Sequence, residues 1–205
     1  GLDDLALAGG CAMNSVANGR IHRRTPFKRL YVQAAAGDAG GAIGAALVAW
    51  HKQGSIRHQM NHAALGPCAT GEAVGKILEE RRTELDAAGC SAERLQSRTS
   101  VCEQAAEAIA NGSVVGWFQG RMEWGPRALG QRPILADPRR ADMKELLNHK
   151  IKRRESFRPF APSILREHVS DWFEDDADVP FMMQVLPIRA ERRPQIPAVT
   201  HVDGS

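Results

Sequence analysis

The chain has 205 residues, of which 43% are hydrophobic and 25% are charged, and its formal net charge is +3. This composition is typical of a globular protein and excludes wholesale disorder. No apolar run reaches the roughly 18 residues that a membrane-spanning helix needs, so we expect no membrane partner. The four cysteines show neither CxxC pairing nor the tight spacing of a disulfide framework, which favours a reducing, cytoplasmic compartment.

The first part of the chain predicts two strand–loop–helix units. The predicted strands are residues 5–8 and 30–33, and the predicted helices start at residues 11 and 42. Further along, we expect helices at 70–85, 101–111 and 141–151, a buried strand at 114–118 and an extended segment at 157–165. Alternating strands and helices indicate an α/β fold, in which ligand loops follow the carboxyl ends of the strands.

A glycine pair follows the first predicted strand. The backbone N–H groups of Gly9 and Gly10 can converge on an anion, and Asn14 can hydrogen-bond a phosphate or a ribose. A tight turn packed for steric reasons is the alternative. Asp38 lies among glycines after the second predicted strand, where its carboxylate can either cap the next helix or bind a divalent metal.

Basic residues concentrate between Gln119 and Arg166, where twelve basic residues accompany five acidic ones. Pro126 and its flanking glycines hold Arg127 in a defined loop, and Lys152, Arg154 and Arg158 alternate with aromatic residues further on. We expect these four cations to converge on one pocket for a phosphate-bearing substrate, because several fixed cations are needed to offset its negative charge. A solvated basic face and a nucleic-acid groove are the alternatives.

Four motifs in this order resemble the O-carbamoyltransferase family that includes nodulation protein U. They are LAGGCAMN, VQAAAGDAGGAIGAAL, GRMEWGPRALGQRPILADPR and IKRRESFRPFAPSIL. The resemblance implies the C-terminal piece of an actin/sugar-kinase-like domain at 1–55, a connector at 56–100 and a C-terminally truncated YrdC-like α/β domain at 101–205. Gln131, Pro133 and Ser156 depart from the family's usual residues.

The resemblance also implies an activity. The YrdC-like domain of the family combines ATP with carbamoyl phosphate to give carbamoyl adenylate, and the other domain passes the carbamoyl group to an acceptor hydroxyl. Gly9, Gly10 and Asn14 would then bind nucleotide, Asp38 would bind iron(II), and the catalytic residues would be Arg127, Lys152, Arg154 and Arg158.

The family's remaining metal ligands and a late loop are expected outside residues 1–205, so we expect this fragment of the enzyme to be inactive. The partners we expect are the small-molecule substrates and a second copy of the chain in a homodimer. An RNA-directed threonylcarbamoyladenosine enzyme is one alternative function, and a non-catalytic basic module that binds nucleic acid is the other. The amino-acid sequences of the basic motifs argue against nucleic acid as a partner.

Overall fold

The computed structural model describes residues 1–54 and 56–205, and they form a mixed α/β structure as expected. Strand β1 (Asp4–Leu7) pairs in parallel with β2 (Arg29–Val32), so that Leu5 lies opposite Leu30. Both strands begin and end one residue earlier than predicted. Side chains of β1 alternate between exposed and partly buried, which is the pattern of a half-buried strand, whereas burial in β2 increases from exposed Arg29 to buried Val32.

Short helices connect these two strands. A 3-10 turn at Gly10–Met13 leads into α1 (Ser15–Gly19) and α2 (Ile21–Arg24). After β2, a turn leads into α3 (Gly40–Lys52), which starts two residues before its predicted start. The second predicted strand–loop–helix unit is therefore confirmed. In the first unit, the helix predicted from residue 11 is instead a 3-10 turn followed by the short helix α1.

The middle of the chain is helical and exposed. The predicted helix at 70–85 is two helices, α4 (Gly71–Glu80) and α5 (Arg82–Ala87), and α6 (Arg98–Ala110) follows. The hydroxyl oxygen of Thr70 accepts a hydrogen bond from the N–H of Ala73 at 3.1 Å, which caps α4 as its sequence indicates. No residue of these three helices is buried.

The predicted buried strand at 114–118 is wrong in both length and burial. Only β3 (Val115–Gly116) pairs, in antiparallel fashion, with β4 (Ile134–Leu135), and neither residue of β3 is buried. The N–H of Trp117 still donates to the carbonyl of Pro133 at 2.9 Å. Proline has no N–H to return that bond, so the regular ladder is interrupted there, and the N–H of Gln119 donates to the carbonyl of Gln131 at 2.9 Å further on.

The predicted helix at 141–151 changes type along its length. It begins as α7 (Met143–Leu146) and continues as a π-helix at Leu147–Lys152. The last helical segment is α8 (Val169–Trp172), and the remainder of the chain forms short 3-10 turns and loops. No helix in the described residues has the length and apolar character needed to cross a bilayer.

Three clusters of buried apolar side chains hold these elements together, and the first joins residues 12–63 with residues 181–183. It contains Ala12, Val32, Ala34, Ala36, Met60, Ala63, Phe181 and Met183. The second contains Val169, Phe173, Ile188 and Ile196, and the third contains Met143, Leu147 and Ala198. The first cluster thus includes residues of both predicted domains, whose boundaries at 1–55, 56–100 and 101–205 stay a prediction.

Candidate functional site

Two loops meet where the parallel strands end. The loop after β1 carries Gly9, whose N–H donates to the carbonyl of Ala36 in the loop after β2 at 2.7 Å. Gly9 has a φ of 97°, a backbone conformation that residues with a side chain rarely adopt. A Cβ atom on Gly9 or Gly10 would meet no other atom within 4 Å, so the backbone here is open to a ligand.

A third loop packs against these two. Gly125 has a φ of 104°, and a Cβ at this position would lie 2.7 Å from the carbonyl oxygen of Ala34. This close approach brings the neighbouring Arg127 to the first loop, where its Nη2 donates to the carbonyl of Met13 at 3.0 Å. The three loops together, Gly9–Asn14, 34–38 and 125–127, are called the glycine-loop site below.

Arg127 is held at the glycine-loop site, and one of its hydrogen-bond donors, Nε, has no partner among the described residues. Its guanidinium is half-buried, and burial lowers the pKa of Arg127 from its ordinary value. The Nε atom is buried and has no hydrogen-bond partner among the described residues, and the same is true of Nε1 of the nearby Trp124. A buried donor without an acceptor is costly, so a ligand oxygen that accepts a bond from Nε would be stabilised.

Glu123 organises the loop that carries Arg127, and sequence reasoning did not find this role. Its side chain is 1% exposed, and Oε1 accepts hydrogen bonds from the N–H groups of Leu129 at 2.7 Å and Gln131 at 2.8 Å. Oε2 accepts from Nε of Arg132 at 3.1 Å. An acidic residue inside a basic, glycine-rich motif was the available signal.

The other two residues predicted near the strand ends are exposed. Asn14 uses its side-chain oxygen to cap α1, accepting from the N–H of Ala17 at 3.0 Å. Asp38 lies in the turn before α3, and the residue at the N-cap of that helix is Ala39, which makes no side-chain cap. Within residues 1–54 and 56–205, no three histidine, cysteine, aspartate or glutamate side chains are grouped to hold a metal ion.

The remaining predicted cations belong to the loop at 152–158 that follows the π-helix, called the cation loop below. Lys152 and Arg158 are exposed, whereas Arg154 is partly buried and its guanidinium carbon lies 4.8 Å from the centre of the Phe160 ring. Burial and the nearby positive charge of Arg158 both lower the pKa of Arg154. Arg154 and Arg158 are therefore close enough to repel each other.

The contacts of the predicted site residues are of two sets. Arg127 joins Gly9, Gly10 and Asn14 at the glycine-loop site, next to the segment that carries Asp38. Lys152, Arg154 and Arg158 form the cation loop, which packs on the third apolar cluster through Phe160. Convergence of all four cations on one pocket stays a prediction.

The glycine-loop site and the cation loop lie in the two segments that match a known family. A family model of the carbamoyltransferase N-terminus matches residues 1–47, and one of the carbamoyltransferase C-terminus matches residues 106–205. The two models together cover more than half of the chain, which belongs to the carbamoyltransferase family.

Relatives match the chain along its whole length. It is 45% identical to the uncharacterised protein sll1178 of Synechocystis sp. and 43% identical to nodulation protein NolNO of Sinorhizobium fredii. It is also 41% identical to nodulation protein NolO of Bradyrhizobium diazoefficiens. Each match covers 100% of this chain but only 37%, 30% and 37% of the respective relative, so the chain spans about a third of their length.

Proposed function

We propose that the protein takes part in ATP-dependent O-carbamoyl transfer. In this reaction carbamoyl phosphate, ATP and water give carbamoyl adenylate, phosphate and pyrophosphate. The hydroxyl oxygen of an acceptor then attacks the carbamoyl carbon, its proton is released, and AMP leaves. The observation that carries the proposal is the glycine-loop site, where open glycine backbone lies beside a half-buried guanidinium whose Nε has no acceptor.

The residues support distinct roles in this reaction. The backbone N–H of Gly10 would bind the phosphate of the nucleotide, while Gly9, whose own N–H is bound to the carbonyl of Ala36, would let the phosphate approach the open turn. Asn14 would bind through the amide nitrogen that the helix cap leaves available. Arg127 would stabilise negative charge that develops on an adjacent oxygen. Lys152, Arg154 and Arg158 would bind the phosphate of carbamoyl phosphate, since the cation loop offers positive charge without an excess of acidic partners.

The domain assignment belongs to the same proposal. Residues 1–55 would be the end of an actin/sugar-kinase-like domain, and residues 101–205 part of a YrdC-like domain. Because the chain spans about a third of its relatives, we assign the whole reaction to the natural protein that contains it. The four cysteines are free and exposed, which supports a reducing, cytoplasmic compartment.

Pyrophosphate release by the natural protein tests the proposed function. We expect release from ATP to require carbamoyl phosphate, and we expect Arg154→Ala to lower the rate at least about tenfold, since one charge-assisted contact to phosphate is lost. The matched control is Arg81→Ala, which removes an exposed arginine whose ion pair in the described residues is with Glu84 on the surface. That variant should keep the rate of the unchanged protein.

Two outcomes would contradict the proposal. One is pyrophosphate release that is the same with and without carbamoyl phosphate. The other is an absence of release combined with tRNA binding that weakens steeply as salt concentration rises, which would favour the RNA-directed alternative.

Iron(II) does not fit the described residues as a complete site, because Asp38 is the single predicted ligand and no three histidine, cysteine, aspartate or glutamate side chains are grouped among them. We therefore derive no step through iron.

The role of Asp38 is tested by metal content: Asp38→Ala should lower the iron bound per molecule of the natural protein by more than half. The control Asp86→Ala removes an exposed carboxylate from α5 and should leave it unchanged. Equal iron content in both variants would remove Asp38 from the ligand set.

A further inference from the structure

The side chain of Asn148 lies at the centre of the cation loop and is completely buried, at 0% exposure. Its Nδ2 donates to two carbonyls of the loop, those of Ser156 at 3.2 Å and Arg158 at 3.0 Å. Its Oδ1 accepts from Nε of Arg154 at 2.7 Å. One amide thus satisfies two backbone groups and one cationic side chain.

The backbone of Asn148 makes a fourth contact with the same loop. Its carbonyl accepts from the N–H of Arg154 at 3.0 Å, across the end of the π-helix. The next turn begins at Arg153, whose φ of 47° is in the left-handed region that residues other than glycine avoid. The π-helix therefore ends at a residue with strained backbone geometry, and Asn148 binds the chain that follows through Arg154, Ser156 and Arg158.

The contacts with Asn148 leave one edge of Arg154 available. Its Nε is bound to Asn148, its face lies over Phe160, and Nη2 makes a long contact of 3.5 Å with the carbonyl of Pro159. In the described residues Nη1 donates to no protein group. An arginine fixed at Nε with a free Nη edge is preorganised for an oxyanion, because little side-chain freedom remains to be lost on binding.

We propose that Asn148 is a positioning residue for the phosphate of carbamoyl phosphate, which holds the 152–158 loop in shape and directs the free edge of Arg154 toward that phosphate. This inference rests on the proposed function. Asn148 does not touch the substrate itself and acts through Arg154 and the two loop carbonyls.

Steady-state kinetics of pyrophosphate release by the natural protein test this role. We expect Asn148→Ala to raise the KM for carbamoyl phosphate by about tenfold or more while the KM for ATP changes little, since Arg154 keeps its charge but loses its orientation. The stability control is Thr200→Val, which removes a partly buried hydroxyl that donates to the carbonyl of Ile196 at 3.0 Å and makes no hydrogen bond with the described residues of the loop. It should leave the KM for carbamoyl phosphate unchanged.

A second variant, Asn148→Asp, has nearly the same shape and keeps the test decisive if the alanine variant does not fold. When ionised, the aspartate presents an oxygen instead of Nδ2 to the carbonyls of Ser156 and Arg158, and it neutralises Arg154. When protonated, it regains one donor. The KM of Asn148→Asp relative to the unchanged protein should therefore fall as the pH is lowered.

The outcomes separate the two proposals. An unchanged KM for carbamoyl phosphate in Asn148→Ala, or a KM ratio for Asn148→Asp that does not vary with pH, would overturn the positioning role and leave the proposed function intact. If the unchanged protein releases no pyrophosphate in response to carbamoyl phosphate, the proposed function fails and the role of Asn148 fails with it.

Discussion

Replacing Arg127 by alanine should lower the overall rate of carbamoyl transfer by about 100-fold or more, the range found when a preorganised donor to a developing negative charge is removed. The structure gives the reason. Arg127 is anchored by Nη2 to the carbonyl of Met13, and its buried Nε has no acceptor among the described residues. The measurement is carbamoylated acceptor formed per unit time by the natural protein.

Arg127→Lys separates charge from geometry. Lysine keeps the positive charge, but a single ammonium cannot bond both the carbonyl of Met13 and a ligand oxygen with the fixed spacing of a guanidinium. We expect the lysine variant to remain at least about tenfold below the unchanged protein, for this geometric reason. Activity within twofold in both variants would show that Arg127 neither binds nor positions substrate.

The largest expected effect on stability comes from Glu123. Glu123→Ala should lower the free energy of unfolding by about 3 kcal/mol, because two backbone N–H groups and Nε of Arg132 lose their common acceptor. Glu123→Gln should cost less, since one side-chain oxygen can still accept from Leu129 and Gln131. Urea unfolding of the protein provides the measurement.

Glu84 offers a matched control for Glu123. Its carboxylate also pairs with an arginine, Arg81 at 2.8 Å, but its side chain is 69% exposed. Glu84→Ala should therefore change the free energy of unfolding by less than about 0.5 kcal/mol. Equal losses for Glu123→Ala and Glu84→Ala would mean that the buried carboxylate does not hold its loop.

Local patterns predicted the parts of the fold that depend on neighbouring residues. The strands that became β1 and β2, the glycine turn at Gly9 and the start of α4 at Thr70 all follow from short-range preferences. The predicted length of the strand at 114–118 was wrong because it depends on the partner strand, where Pro133 lacks the N–H to return the bond from Trp117.

The candidate site was predictable only in its residue types. Glycines, basic residues and the four motifs indicated anion binding, but the contact between Arg127 and Met13 joins residues 114 positions apart. No local pattern encodes such a pairing. Asn148 and Glu123 were missed for a related reason: their partners are mostly backbone groups, whose positions exist only once the loops have folded.

Two segments far apart in the sequence, residues 12–18 and 183–185, contact each other directly. Asn18 in α1 is buried, and its Nδ2 bridges the carbonyls of Ala12 and Met183 at 2.8 and 2.9 Å, while the N–H of Val185 donates to the carbonyl of Ser15. Helices α4 and α5, which separate these segments in the sequence, contribute no buried residue. The length of the segment that contains α4 and α5 therefore has little influence on the geometry of the glycine-loop site. We therefore expect that lengthening or shortening the segment 71–87 by a few residues leaves the contact between Arg127 and Met13 in place.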